Sequence, residues 1–366
     1  MTNMKGKLGF GLMRLPKRGL GIDIKKTSEM VDMFLDRGYT YFDTAFVYPG
    51  SEAAAKKALV DRHPRDSYTL ATKLMAGVSL NEKSAKEEFF TSLKRTGAEY
   101  FDYYLLHSIQ ADNYERYEKF HLWDFVQEQK KAGTIRHIGF SFHDKPELLE
   151  KLLKEHPEVE FVQLQINYAD WESPAVCARQ NYELVRKYGK QLVIMEPVKG
   201  GKLANPPAGV KKIFDEVNPG ASYASWAIRF AASLDGLLAC LSGMSTLEQV
   251  DDNISFMNDF KPLSKAEMKA IREAQKAYNA SPGIPCTACH YCTEGCPKQI
   301  PIPEIFSAEN LRLTTGHIGE ARELYASAVG AGNGAADCIA CKKCENICPQ
   351  HIKVSEHMKS IAEAMK

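Results

Sequence analysis

The sequence predicts an α/β chain: a parallel (β/α)8 barrel of the TIM type, followed by a smaller, mainly α-helical C-terminal domain. Three observations carry this. Short β-rich runs alternate with amphipathic helical patterns up to about residue 258, the β-rich runs number eight, and beyond them the pattern changes to a polar helix and two cysteine-rich runs. Eight is the strand count that closes such a barrel.

The eight strands are read, in order, as LGFGLM (8–13), TYFDTA (40–45), YTLATK (68–73), YYLLHS (103–108), HIGFSF (137–142), FVQLQINY (161–168), QLVIMEP (191–197) and LLACLSG (237–243). Helical spacing fills the gaps. SEMVDMFLDRG sets Met30, Val31, Phe34 and Leu35 on one face and stops at Gly38, and ELLEKLLKEH repeats the pattern with Leu148, Leu149, Leu152 and Leu153. An open doubly wound sheet would need a G-x-G-x-x-G turn after an early strand, and the chain has none. After Asn253 comes the polar helix KAEMKAIREAQKAYN, then Ser281, Pro282, Gly283 and Pro285. This places a domain boundary at residue 280, with the barrel over 1–280 and the helical domain over 281–366. In the second domain a helical stretch, residues 303–329, separates the two cysteine runs, and few strands are expected.

Composition narrows the function classes. Of 366 residues, 44% are hydrophobic and 25% charged, enough apolar material for a large core. Lys and Arg number 47 against 46 Asp and Glu, so no net field attracts nucleic acid or an anionic membrane. The N-terminal segment has no apolar leader core, and no apolar run approaches the roughly 20 residues that span a bilayer. The expected location is cytoplasmic. Eight of the ten cysteines crowd into the two C-terminal runs, which in such a compartment indicates metal binding. Cys177 and Cys240 lie in apolar segments and read as packing.

In a parallel barrel the functional side chains gather at the C-terminal strand ends. Asp43, Tyr48, Lys73 and His107 stand at or just past such ends. Any one of them alone can be capping a helix; four at successive ends point to a site. Their chemistry suits carbonyl reduction, in which hydride reaches carbon and an acid must protonate oxygen. An ammonium at Lys73, held by Asp43, is expected to lower the pKa of a tyrosine beside it, and His107 to orient the carbonyl oxygen.

FDTAFVYPGSE, LATK and LLHS, in this order and near this spacing, resemble the catalytic segments of the aldo-keto reductases, over roughly residues 7–258. The resemblance implies a tetrad of Asp43, Tyr48, Lys73 and His107, with Tyr48 as proton donor and a nicotinamide cofactor across the barrel mouth. It implies cofactor contacts from Ser141 and Gln165 to the carboxamide, from Met195 to the nicotinamide ring, and from Ser242, Gly243, Ser245, Gln249, Asp252 and Asn253 to the adenine and phosphate end. Four positions depart from the family pattern. Phe142 follows Ser141 where a second polar residue is usual, Met195 replaces an aromatic ring, and Gly243 and Gln249 stand where many members place basic residues on a 2′-phosphate. NADP is therefore favoured over NAD only slightly.

CTACHYCTEGCP (286–297) and CIACKKCENICP (338–349) share the form C-x2-C-x2-C-x3-C-P. Paired zinc sites use similar ligands, but this run is that of bacterial dicluster ferredoxins and implies two [4Fe-4S] clusters. In that arrangement the fourth cysteine serves the opposite cluster. One set is Cys286, Cys289, Cys292 and Cys348; the other is Cys338, Cys341, Cys344 and Cys296. His290, inside a ligand loop, reads as an exposed polar residue. The expectation is an oxidoreductase acting on a small carbonyl or alcohol with NAD(P)H, its clusters linked to a ferredoxin or flavoprotein partner. An electron-transfer module that bypasses nicotinamide, and a redox sensor, are the alternatives.

Overall fold

The computed structural model describes residues 6–19 and 21–365; residues 1–5, part of the N-terminal segment read above, lie outside the described residues. Eight parallel strands close a barrel in chain order: β1 (Leu8–Gly11), β2 (Tyr41–Asp43), β3 (Thr69–Leu74), β4 (Phe101–Ile109), β5 (Ile135–Phe142), β6 (Phe161–Gln165), β7 (Gln191–Met195) and β8 (Leu237–Ser242), with β8 pairing back onto β1. All eight expected strands are present. β1 is shorter than expected because Leu12–Arg14 winds into a 3-10 turn, and β4 and β5 start earlier because Phe101 and Ile135 pair across them.

Alternation along the strands divides the side chains into two layers. Tyr41, Ala71, Tyr103, Leu105, Phe161, Val193, Ala239 and Leu241 fill the barrel interior. Gly139 belongs to this packing: a Cβ there would run into the Phe161 ring. The opposite faces meet the surrounding helices. Helix Ile24–Asp36, capped by Asp23, buries Met30, Val31 and Phe34, and helix Pro146–Glu155 buries Leu149, Leu152 and Leu153. Helix Lys265–Ala280 starts at a Ser264/Glu267 capping box and lays Ala270, Ile271 and Ala274 against the same layer. Cys177 and Cys240 are buried free thiols. Among the described residues, no helix is long and apolar enough to cross a membrane.

A second hydrophobic cluster forms from Ile284 onwards. Ile300, Ile302, Ile305 and Phe306 meet Ile352, Val354, Met358 and Ile361 within it, between helices Ile302–Thr315 and Val354–Ala364. This unit sits on the barrel mouth through polar contacts. Arg14 donates to the carbonyls of Thr287 (2.6 Å) and Ala288 (3.3 Å), Lys202 Nζ donates to Ile284 O (2.9 Å), and His351 Nε2 lies 3.1 Å from His143 O. Gly200, at φ +64°, makes the close approach possible, because a Cβ there would collide with the Thr287 carbonyl.

Candidate active site

Parallel strands bring Asp43 (end of β2), Lys73 (β3) and His107 (β4) side by side at one rim. Lys73 Nζ donates to Asp43 Oδ1 at 2.5 Å and to Thr44 O at 2.7 Å, and its side chain is fully buried. Tyr48, in the loop after β2, lies with its ring centre 5.2 Å from Lys73 Nζ and 5.7 Å, edge-on, from His107. Among the described residues, Asp43 Oδ2 and His107 Nδ1 find no hydrogen-bond partner. The four residues are thus brought together, but their electrostatics differ from expectation. Burial raises the pKa of Tyr48, and the Lys73 charge only offsets part of that rise. Burial, reinforced by Lys73 and His143, holds His107 well below the usual imidazole range, so it is neutral at pH 7. A neutral phenol beside a neutral imidazole is a hydrogen-bond-donating pair suited to a carbonyl oxygen.

From this corner a cleft of about 320 Å³ runs along the rim past Gln165 and Met195 to Ser242, Gly243, Ser245, Gln249, Asp252 and Asn253. Of the residues assigned to a cofactor by resemblance, Ser141 lies behind the cleft, buried, its Oγ accepting the Ser108 N–H at 2.7 Å. Several of the others are engaged with one another. Asn253 Nδ2 donates to Ser242 Oγ (2.7 Å), Ser245 N–H to Gln249 Oε1 (2.7 Å), and Ser222 Oγ to Asp252 (2.8 Å). Met195 Sδ accepts from Gln163 Nε2 at 3.3 Å. Among the described residues lining the cleft, Arg14 is the one Arg or Lys, and it is held by Glu196 as well as by the two carbonyls above.

The far wall of the cleft was not legible in the sequence. Thr287, Cys289, Tyr291 and Pro349 from the cysteine runs, with Gln350 just after the second, line it. Tyr291 stands beside the Tyr48 phenol, and its hydroxyl lies 3.4 Å from His107 Nε2. Gln350 and Gln165 exchange two amide hydrogen bonds, 3.0 and 2.8 Å. Behind them Asp170 accepts from Gln165, Asn167 and the buried Lys199. The signal available beforehand was small: an aromatic residue between two ligand-type cysteines, and a glutamine following a Cys-Pro.

Two small cavities lie inside the C-terminal unit. One is lined by Cys286, Cys289, Cys292 and Cys348, the other by Cys296, Cys338, Cys341 and Cys344, the two sets of the crossed arrangement. The runs turn alike. Ala288 and Ala340, His290 and Lys342, and Gln299 and His351 occupy equivalent positions, all at positive φ. Such turns aim successive amides inward, forming a concave surface suited to an anionic group. Consistent with this, Ala288 N–H donates to Cys286 Sγ at 3.4 Å. Free thiols, cavities and inward amides together fit iron–sulfur clusters. His290 is exposed, 3.7 Å from Glu304.

Comparison with known proteins agrees with this geometry. Residues 7–276 match the model of the aldo/keto reductase family. The chain belongs to that family. Residues 285–353 match the 4Fe-4S dicluster domain, so this aldo/keto reductase carries an iron–sulfur type extension beyond its barrel. An aldo-keto reductase of Mycolicibacterium smegmatis is 33% identical over 132 residues, 34% of this chain and 44% of the relative. Methylglyoxal reductase DkgA of Escherichia coli (strain K12) is 26% identical over 237 residues, 55% of this chain and 83% of that protein. The chain spans about half the length of the mycobacterial relatives it matches. Among solved structures, an aldo/keto reductase from Klebsiella pneumoniae in complex with NADP and acetate superposes with a TM-score of 0.58 at 19% identity, covering 74% of this chain and 91% of its own, a likeness of fold.

Proposed function

We propose that this aldo/keto reductase reduces a small carbonyl compound, or oxidises the corresponding alcohol, with NADP or NAD, and that two [4Fe-4S] clusters link the barrel to a one-electron partner such as a ferredoxin or flavoprotein. In this reading the barrel (1–280) and the helical domain (281–366) are separate functional units. The carrying observation is that Tyr48, His107 and Cys289 line one cleft. When bound, nicotinamide would supply the hydride and the clusters single electrons. The chain's own residues supply the rest. Tyr48 gives its hydroxyl proton to the developing alkoxide, neutral His107 orients the carbonyl through Nε2, and the Lys73–Asp43 pair sits behind the phenol and eases its loss of a proton.

Gln165 and Met195 would hold the nicotinamide end, and Ser242 to Asn253 the adenine end. The Klebsiella neighbour's NADP supports that nucleotide for this cleft. With Arg14 as the one Arg or Lys among the described residues that line it, already engaged, the cleft is expected to discriminate NADP from NAD weakly. The cysteines of the two cavities would ligate the clusters. Cys341 is exposed beside Ile339, 58% exposed, which offers the outer cluster site to a partner. A second reading, in which the clusters serve the pocket without nicotinamide, draws on the Gln350–Gln165 pairing.

The test is anaerobic NADPH and NADH oxidation by the reconstituted protein with a panel of small aldehydes, including methylglyoxal, the compound named for the Escherichia coli relative. Tyr48→Phe is expected to lower kcat/KM by about 10²–10⁴-fold with iron and sulfide unchanged. Undiminished turnover would overturn the assignment.

A further inference from the structure

We infer that Tyr291 and Gln350 form an autoinhibitory contact: the C-terminal unit docks by placing its own phenol and its own carboxamide on the groups that would otherwise receive a ligand carbonyl oxygen and the nicotinamide carboxamide. This rests on the reading that Tyr48, His107 and Gln165 receive those two ligand groups.

Hydrogen-bond counting at Gln165 makes the case at the carboxamide end. A glutamine amide has two N–H donors. One goes to Asp170 Oδ2 (3.0 Å) and the other to Gln350 Oε1 (3.0 Å), while Gln165 Oε1 accepts from Gln350 Nε2 (2.8 Å). Both side chains are nearly inaccessible, at 4% and 6% exposure. A primary carboxamide approaching Gln165 therefore finds no donor left and must displace Gln350, whose pairing has the same cyclic two-bond form. Asp170 cannot swing away to release a donor, because Lys199 holds it through both oxygens at 2.5 and 2.7 Å and Asn167 adds a third contact.

The carbonyl end is filled in the same way. Tyr291 stands beside the Tyr48 phenol, its hydroxyl 3.4 Å from His107 Nε2 and its ring meeting the imidazole edge-on at 6.2 Å. The phenol oxygen of Tyr291 thus stands between the proton donor and the orienting imidazole. Tyr291 lies between Cys289 and Cys292, and Gln350 two residues after Cys348, so both plugs flank a single cysteine cavity. They move with it as a unit. Polar contacts through Arg14, Lys202 and His351 fasten that unit to the rim.

Equilibrium binding of NADPH and NADH to the anaerobically reconstituted full chain, read by quenching of tryptophan fluorescence, tests this. Gln350→Ala is expected to bind about tenfold more tightly than the natural sequence, roughly the worth of one or two neutral hydrogen bonds, with iron content unchanged. Natural and variant proteins binding alike, or the variant binding more weakly, would overturn the inference while leaving the cofactor reading intact. Binding by neither protein, nor by a Tyr291→Ala/Gln350→Ala double variant, would overturn both. Should Gln350→Ala lose iron, hydrogen exchange on the natural sequence decides. NADPH is expected to speed exchange of the amides in 286–292 and 350–352, and unchanged or slower exchange there refutes the plug.

Discussion

The ammonium of Lys73 lies 5.2 Å from the ring centre of Tyr48, and it is fixed there by a fully buried bond to Asp43. The lysine is therefore structural as well as electrostatic. Lys73→Met leaves the Asp43 carboxylate buried without a partner and is expected to destabilise the barrel by about 3–5 kcal/mol. Denaturant unfolding followed by circular dichroism measures this, and a Lys73→Met/Asp43→Leu double variant should recover most of the loss. A single variant as stable as the natural sequence would show that the pair is not needed for folding.

Three buried groups set a pH dependence of stability. Burial holds His107 well below 6.5 and His143 at about 3, so as pH falls below 6.5 the unfolded chain takes up two protons that the native state refuses. Glu88 opposes them, since burial raises it to about 7 and the native state keeps one proton that the unfolded chain releases down to roughly pH 4.5. The net is one proton, and stability from these groups should fall by about 1.4 kcal/mol per pH unit between 6.5 and 4.5. His143→Gln should remove that slope; an unaltered slope would mean that His143 titrates normally.

Crossed ligation makes a prediction about which cluster a substitution removes. Cys348→Ser should abolish the same spectroscopic centre as Cys286→Ser and leave the centre lost in Cys338→Ser, each variant keeping roughly half of about eight irons. Electron paramagnetic resonance of the reduced proteins distinguishes the centres. Pairing of Cys348 with the Cys338 pattern would rule the crossed sets out.

Gly200→Ala tests the seating of the C-terminal unit. The added methyl meets the Thr287 carbonyl at a left-handed backbone position, so the cysteine loop must lift from the rim. Faster bleaching of the visible cluster absorbance in air is expected, with the far-ultraviolet dichroism of the barrel retained. Bleaching at the natural rate would show that the loop tolerates the methyl.

Much of this architecture was readable from the chain because its causes are local. Alternating strands such as YYLLHS and helix faces such as Leu149, Leu152 and Leu153 carry their own periodicity, and strand ends in a parallel barrel converge whatever the loops do. The convergence of Asp43, Tyr48, Lys73 and His107 at one rim was legible for that reason. Tyr291, Gln350, Arg14 and the Lys199–Asp170 pair were not, because they matter only through the docking of one unit on the other, which no local pattern encodes. The direction of the Tyr48 shift also escaped the sequence. Adjacency of a lysine can be guessed from spacing, whereas the desolvation that outweighs it requires the finished fold.

The matched left-handed turns of the two cysteine runs have an asymmetry of outlook. Where the barrel-side loop carries Tyr291, its counterpart carries Lys343, and where Gln350 follows one Cys-Pro, Lys298 follows the other. One backbone scaffold, used twice, thus wears neutral donors toward the enzyme and cations toward the outside. A few side chains give the pair a front and a back, and with them the module has a built-in direction.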